Sequence, residues 1–217
     1  ERELGDWLKR DSVLLFPSGF QANIAAVCLL AGRHTTVLAD RLIHHSLLVG
    51  VQASGARLQR FRHNDLIDLE RRISKLDSDQ GSVLVISESL FSMEGTSPDM
   101  DGLVDLCQRF GAKLLLDEAH ALGVLGPEGR GLGFGRGGID LISGTFGKAF
   151  GSGGAFLACD AALGDKLLQS SGAFRYTTAL APALVGAAQA ALDLIRSNPG
   201  WGEQLIQRSG QWRAAVS

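Results

Sequence analysis

Short runs of consecutive apolar residues alternate along the chain with stretches in which apolar positions recur at helical spacing. Val83-Leu84-Val85-Ile86 is apolar at every position, as a strand reads when helices cover both of its faces. Runs of this kind predict strands over Ser12–Phe16, Thr36–Ala39, Arg57–Phe61, Ser82–Ser87, Lys113–Asp117, Ile139–Gly144 and Ala155–Ala158. The 3.6-residue period predicts helices over Gly19–Leu30, Ser46–Ser54, Leu66–Leu76, Met100–Phe110, Ala161–Gln169 and Pro182–Ile195. Glu1–Arg10 and the segment leading to Ser217 are helical in character as well. Regular alternation of strand and helix predicts an α/β fold: a mostly parallel, seven-stranded sheet with helices on both faces. No internal repeat and no linker divides the 217 residues.

In an open parallel sheet, ligands sit beyond the carboxyl ends of the strands. Polar residues fall at those ends: Ser18 after the first strand, His44 after the second, Ser92 after the fourth, Asp117 and His120 after the fifth, Lys148 after the sixth. Taken singly, each has a plain structural reading. Ser18 reads as a helix cap, His44 and His45 as loop histidines, and His120 as a hydrogen-bonded structural histidine. Asp117-Glu118 at the end of an apolar strand also resembles the magnesium-binding acid of nucleotide hydrolases, but the chain has no G-x-x-x-x-G-K-[ST] to go with it. The glycine-rich stretch Gly126–Gly138 reads as a flexible connection, because no strand–turn–helix frames it as a dinucleotide loop would require.

Lys148 changes the picture. It sits among small residues in Ser143-Gly144-Thr145-Phe146-Gly147-Lys148-Ala149-Phe150-Gly151, and alone among the five lysines it has no charged neighbour. A desolvated lysine is a usable nucleophile and base. Asp117 ends a fully apolar strand, where an unpartnered carboxylate would cost several kcal/mol, and a protonated pyridine nitrogen is a suitable partner. A lysine amine that condenses with an aldehyde, opposite a carboxylate that holds a pyridinium, is what pyridoxal 5'-phosphate chemistry needs. Pro17-Ser18-Gly19-Phe20, joining a strand to a helix, supplies free N–H groups for a phosphate. His44 can stack on a ring, His120 can bond its phenolic oxygen, and Glu88 and Ser92 of Glu88–Gly95 can reach ring or substrate.

Bulk properties narrow the partners. Net charge is −2, with no basic run to suit nucleic acid or a membrane surface. No apolar run reaches the ~18 residues that span a bilayer. Cys28, Cys107 and Cys159 are far apart and form no CxxC, so they read as reduced cysteines of a cytoplasmic protein rather than disulfides or a zinc site, and no metal is expected.

At these residues the sequence resembles the α-oxoamine synthases, pyridoxal-phosphate enzymes of fold type I. The family's Ser-Gly-Phe corresponds to Ser18-Gly19-Phe20, its Asp-Arg-Leu-x-His ends on His44, and its Glu-x-x-Phe-Ser-Met-[Asp/Glu]-Gly stands as Glu88–Gly95. Its Asp-[Asp/Glu]-Ala-His is Asp117–His120 and its Thr-[Phe/Leu]-[Gly/Ser]-Lys is Thr145–Lys148; Ala121 stands where the family usually has glycine. The resemblance implies catalytic roles for Lys148, His44 and Asp117. It implies cofactor contacts from Ser18, Gly19, Phe20, Ser92, His120 and Thr145, and a homodimer in which Thr178 of Tyr176-Thr177-Thr178 reaches the neighbouring subunit's phosphate. Phe61–Asp65, Thr145–Lys148 and Tyr176–Thr178 fit the member that condenses L-alanine with a pimeloyl thioester, carried by CoA or an acyl carrier protein, with loss of CO2. Other members, taking glycine or serine, and aminotransferases share the fold. A non-catalytic scaffold of this fold would lack Lys148, and a nucleotide-binding module is suggested by the glycine run alone. The resemblance covers the family's large cofactor-binding domain over 1–217, with 182–217 leading toward a C-terminal small domain; both ends of the chain read as cut from a longer protein.

Overall fold

The computed structural model describes residues 1–76 and 81–216, so Ser217 lies outside the described residues. The elements run α1 (Arg2–Leu8), β1 (Ser12–Phe16), α2 (Gly19–Leu30), β2 (Thr35–Asp40), α3 (His45–Ser54), β3 (Arg57–Phe61), α4 (Leu66–Ile73), β4 (Ser82–Glu88), α5 (Met100–Arg109) and β5 (Lys113–Asp117). They continue through β6 (Leu141–Thr145), β7 (Ala155–Cys159), α6 (Ala161–Ser170), α7 (Gly172–Arg175), α8 (Pro182–Ser197) and α9 (Trp201–Val216).

One sheet holds seven strands in the order β1-β7-β6-β5-β4-β2-β3. β2, β3, β4, β5 and β6 pair in parallel, and β7 is antiparallel to both of its neighbours. Every strand except β7 therefore points its carboxyl end the same way.

Alternation within the strands sorts the core into two layers. Leu14, Val37, Leu84, Ile86, Leu115, Leu141 and Leu157 pack with Ala22, Val27, Leu47 and Leu167 of α2, α3 and α6. Val13, Leu38, Val85, Leu114, Leu116, Ile142 and Phe156 pack on the opposite face with Trp7, Leu69, Leu103 and Leu192 of α1, α4, α5 and α8. A fully buried Leu or Ile side chain contributes about 2 kcal/mol by removal from water, so doubly covered strands anchor the mouth.

Departures from the predicted bounds have local causes. The helix expected to Leu76 ends at Ile73, because Lys75 and Leu76 donate to Arg72 and Ile73 in tight i→i+3 bonds. The strand expected from Ile139 starts at Leu141, because Asp140 bonds Leu114 with both its N–H and its side-chain Oδ2. The stretch Gly126–Gly138 is not a flexible connection. It is pinned to the buried Glu118 carboxylate, which accepts N–H bonds from Gly133 at 2.6 Å and Leu132 at 3.2 Å. Gly131 has φ +87°, and a Cβ there would lie 2.5 Å from that carboxylate, so glycine permits the close wrap.

Candidate active site

Three polar side chains line up across the ends of three adjacent strands. Glu88 ends β4, Asp117 ends β5 and Ser143 lies in β6; Glu88 pairs with Asp117 and Asp117 with Ser143 in the sheet register. All three share the parity of Ile86, Leu115 and Leu141, which puts them on the face covered by α2 and α3. Asn23, on the buried side of α2, descends onto this row. Together with Gly19, Phe20, His44, Ala119, His120, Gly144, Thr145 and Lys148 they line a cavity of ≈ 130 Å³. That is close to the roughly 150 Å³ engineered cavity that admits a benzene ring, so one six-membered ring fits. A second cavity of ≈ 200 Å³, under α1 and α8, is lined by Leu4, Leu15, Phe146, Val185, Ala188 and Leu192 together with Glu1, Arg2, Glu3 and Gln189, and contains neither Asp117 nor Lys148.

The row is held by hydrogen bonds. Asp117, 5% exposed, accepts from Asn23 Nδ2 at 2.8 Å and from the Ala119 N–H at 2.9 Å. Glu88, 6% exposed, accepts from the His44 N–H at 2.6 Å. Burial, and then the neighbouring Asp117, push the Glu88 carboxyl up to about 8. His120 is pushed down, by burial first and then by the Lys148 ammonium, against the pull of Asp117. Two buried atoms in the lining, Asn23 Oδ1 and Ser143 Oγ, have no hydrogen-bond partner among the described residues. An unpaired buried polar atom costs about 1–3 kcal/mol, so the cavity carries capacity that a polar ligand ring would satisfy.

The sequence-predicted residues divide. Gly19, Phe20, His44, Asp117, His120, Thr145 and Lys148 converge on this one cavity. Ser18 caps α2, its Oγ accepting the Gln21 N–H at 3.2 Å, and the Gly19 and Phe20 N–H groups follow at the helix start. Thr145 Oγ1 donates to the Gly154 carbonyl and accepts the Gly147 N–H, which folds the Lys148 turn back over α2's first residue. Lys148 is exposed at the rim rather than desolvated: Gly147 and Ala149 beside it are exposed as well, so small neighbours leave the amine open to water instead of covering it. Ser92 lies in an exposed turn outside the lining. Thr178 is exposed in the stretch between α7 and α8, whose Leu180 packs against Gly154.

Asn23, Ser46 and Ser143 were not singled out from the sequence. Asn23 did leave a signal, a lone amide on the buried face of α2 between Ala22 and Ala26. Among the described residues, no group of three or more His, Cys, Asp or Glu side chains is placed to hold a metal ion.

Fold and site together define a class. The chain belongs to the aminotransferase class I and II family, whose model matches residues 1–216. It is similar to an 8-amino-7-oxononanoate synthase of Gluconacetobacter diazotrophicus, 45% identical over 90% of this chain and 51% of that protein. A solved 8-amino-7-oxononanoate synthase from Francisella tularensis superposes with a TM-score of 0.79 at 32% identity, over 90% of this chain and 57% of that one. A serine palmitoyltransferase from S. paucimobilis, solved with bound PLP-myriocin, superposes with a TM-score of 0.90 at 30% identity, over 95% of this chain and 54% of that one. The chain thus has the fold type I architecture expected from its sequence, and it spans about half the length of the curated relatives it matches.

Proposed function

We propose that the chain is the cofactor-binding part of a pyridoxal-phosphate enzyme that condenses L-alanine with a pimeloyl thioester, on CoA or an acyl carrier protein. The products are 8-amino-7-oxononanoate, CO2 and free thiol. The observation that carries the cofactor reading is the placement of Lys148 at the rim of a ring-sized cavity whose floor is the buried Asp117, and the substrate pair is supported by the likeness to 8-amino-7-oxononanoate synthases. The unpaired Asn23 Oδ1 and Ser143 Oγ fit the same group, since both await a polar ring edge.

When bound, pyridoxal phosphate supplies an aldehyde and an electron-accepting pyridine ring. Lys148 Nζ would hold the aldehyde carbon and, once released, take the substrate's α-proton. Asp117 would keep a proton on the ring nitrogen, as a carboxylate already fixed by Asn23 and Ala119 can do without moving. His44 would cover the ring and orient the substrate carboxylate. The free N–H groups of Gly19 and Phe20, with Thr145, would hold the phosphate at the start of α2. His120 and Ser92 would hold the phenolic oxygen, and Thr178 of a second copy would complete the phosphate site in a cytoplasmic homodimer.

The test uses the intact protein with pyridoxal phosphate. Lys148→Ala should abolish the visible absorbance of the lysine-bound cofactor; absorbance retained in that variant sinks the assignment. Thiol and CO2 release should then require L-alanine with a pimeloyl thioester. The serine palmitoyltransferase likeness, with its higher TM-score, favours a second reading in which serine and a longer acyl thioester are used. Release with that pair alone would keep the cofactor chemistry and change the substrates.

A further inference from the structure

A chain of hydrogen bonds runs from the floor of the cavity to its wall. Asn23 Nδ2 donates to Asp117 Oδ2 at 2.8 Å and to Ser46 Oγ at 2.9 Å. Ser46 Oγ lies 2.7 Å from His44 Nδ1, and the Ser46 backbone N–H also points at Nδ1, at 3.3 Å. Asn23 and Ser46 are both buried, Ser46 completely.

The direction of every link follows from which atoms carry protons. Both Asp117 oxygens already accept, Oδ1 from Ala119 and Oδ2 from Asn23. Turning the Asn23 amide over would set its oxygen against Oδ2, acceptor facing acceptor, so the NH2 group is fixed toward Asp117 and Ser46. Ser46 Oγ then receives an Asn23 proton, and its own hydroxyl proton has His44 Nδ1 as its remaining partner. A proton on Nδ1 would strand that hydroxyl proton and face the Ser46 backbone N–H, losing two bonds at once. Nδ1 is therefore the acceptor, and the ring proton belongs on Nε2.

We infer that Asn23 and Ser46 are positioning residues that hold His44 with Nδ1 as an acceptor and its ring proton on Nε2, which makes it a hydrogen-bond donor at the cavity wall. His44 Nε2 has no partner among the described residues, and His44 lines the cavity. A carboxylate or carbonyl oxygen is accepted beside such a ring, whereas an N–H group is not. The same relay couples the two groups that would grip a cofactor ring: a change in the acceptor state of Asp117 is passed through one amide and one hydroxyl to the face of His44. The tautomer rests on hydrogen bonds within the chain; its use on a substrate rests on the function proposed above.

Imidazole 15N shifts of the intact, cofactor-free protein test this, with His44 assigned by the signals lost in His44→Gln. The expected result is an unprotonated Nδ1 and a protonated Nε2. Asn23→Ala frees the Ser46 hydroxyl to turn, and Ser46→Ala removes it, so in each the two nitrogens should move toward averaged shifts. A wild-type Nδ1 in the protonated range overturns the inference, and that measurement needs no variant to fold. Wild-type shifts retained in both variants, with native circular dichroism, overturn the roles of Asn23 and Ser46. Pyridoxal-phosphate absorbance of the wild type is read separately: its absence alongside the expected tautomer would defeat the cofactor reading and leave the relay standing.

Discussion

Glu88→Gln should remove the part of the pH dependence of stability between about pH 5 and 8 that Glu88 contributes. Glu88 has one hydrogen-bond donor, the His44 N–H, and stands beside Asp117 on the next strand. Burial first, and Asp117 second, raise its carboxyl from 4.5 to about 8. The sign follows from the protons bound. Between those values the native protein keeps the Glu88 proton and the unfolded chain has lost it, so unfolding is progressively favoured as pH rises. The contribution is intact below about pH 4.5, is lost on the way to pH 8 and is constant above. At ~1.4 kcal/mol per unit, the rise from 4.5 to about 8 amounts to about 5 kcal/mol. Glutamine keeps an acceptor for His44 and cannot ionise, so the variant should gain that stability at pH 8 and match the parent near pH 4.5.

Urea unfolding of both proteins, without cofactor, at a series of pH values measures this directly. With a urea slope of about 2 kcal/mol per molar, the parent's midpoint should fall by roughly 0.7 M per pH unit relative to the variant. Glu118, also raised by burial, is present in both proteins and drops out of the difference. Parallel midpoints across the range would mean that Glu88 is ionised in the native state, and the assignment of a neutral acid beside Asp117 would fail.

Gly123 has φ +79°, and a Cβ there would lie 2.5 Å from the Ala149 Cβ, next to Lys148. Gly123→Ala should therefore cost about 2–4 kcal/mol, from left-handed strain and overpacking, and weaken pyridoxal-phosphate binding by displacing the Lys148 turn; thermal melts and a cofactor titration check both, and an unchanged cofactor affinity would show that the contact does not position that turn. Glu118→Ala should leave the Leu132 and Gly133 N–H groups without their acceptor, at about 1–3 kcal/mol each, and speed amide exchange across Gly131–Gly133. Exchange there at the parent's rate would mean that the carboxylate does not hold the loop.

The sheet was legible because its strands are short, apolar and separated by helical periods. Ser12–Phe16, Arg57–Phe61, Lys113–Asp117 and Gly19–Leu30 have the predicted bounds. The mouth of the site was legible from the same fact, since polar residues that interrupt an apolar strand at its carboxyl end have one place to go. Pairwise geometry was not. Asn23 reads in sequence as one polar residue of an alanine-rich helix, and only the packing of α2 over β5 and β6 brings its amide to Asp117. Ser92 follows from its place after the fourth strand and Thr178 from the resemblance, and local sequence says nothing of how far a turn stands from the cavity. The glycine stretch misled because glycine signals freedom in an unfolded chain, whereas here it permits a tight wrap around one buried carboxylate.

A strand apolar on both faces carries little information about which face is which, since Leu114, Leu115 and Leu116 would be buried in either register. A one-residue slip of β5 would carry Asp117 to the α5 face and dismantle the row with Glu88 and Ser143. What fixes the register therefore lies just beyond the strand ends. The Ser89 N–H bonds the Asp117 carbonyl at 3.0 Å, the Glu118 N–H bonds the Ser143 carbonyl at 2.9 Å, and Asp140 closes on Leu114 at the other end of β5. The Glu118 side chain joins Ser89 Oγ to the glycine loop, so that β4, β5 and the approach to β6 are clamped by one residue adjacent to the acid they position. The pairing of Asp117 with Glu118 in sequence thus has two separate physical tasks: one carboxylate faces the cavity, and its neighbour, pointing the other way along the strand, holds the register that puts it there.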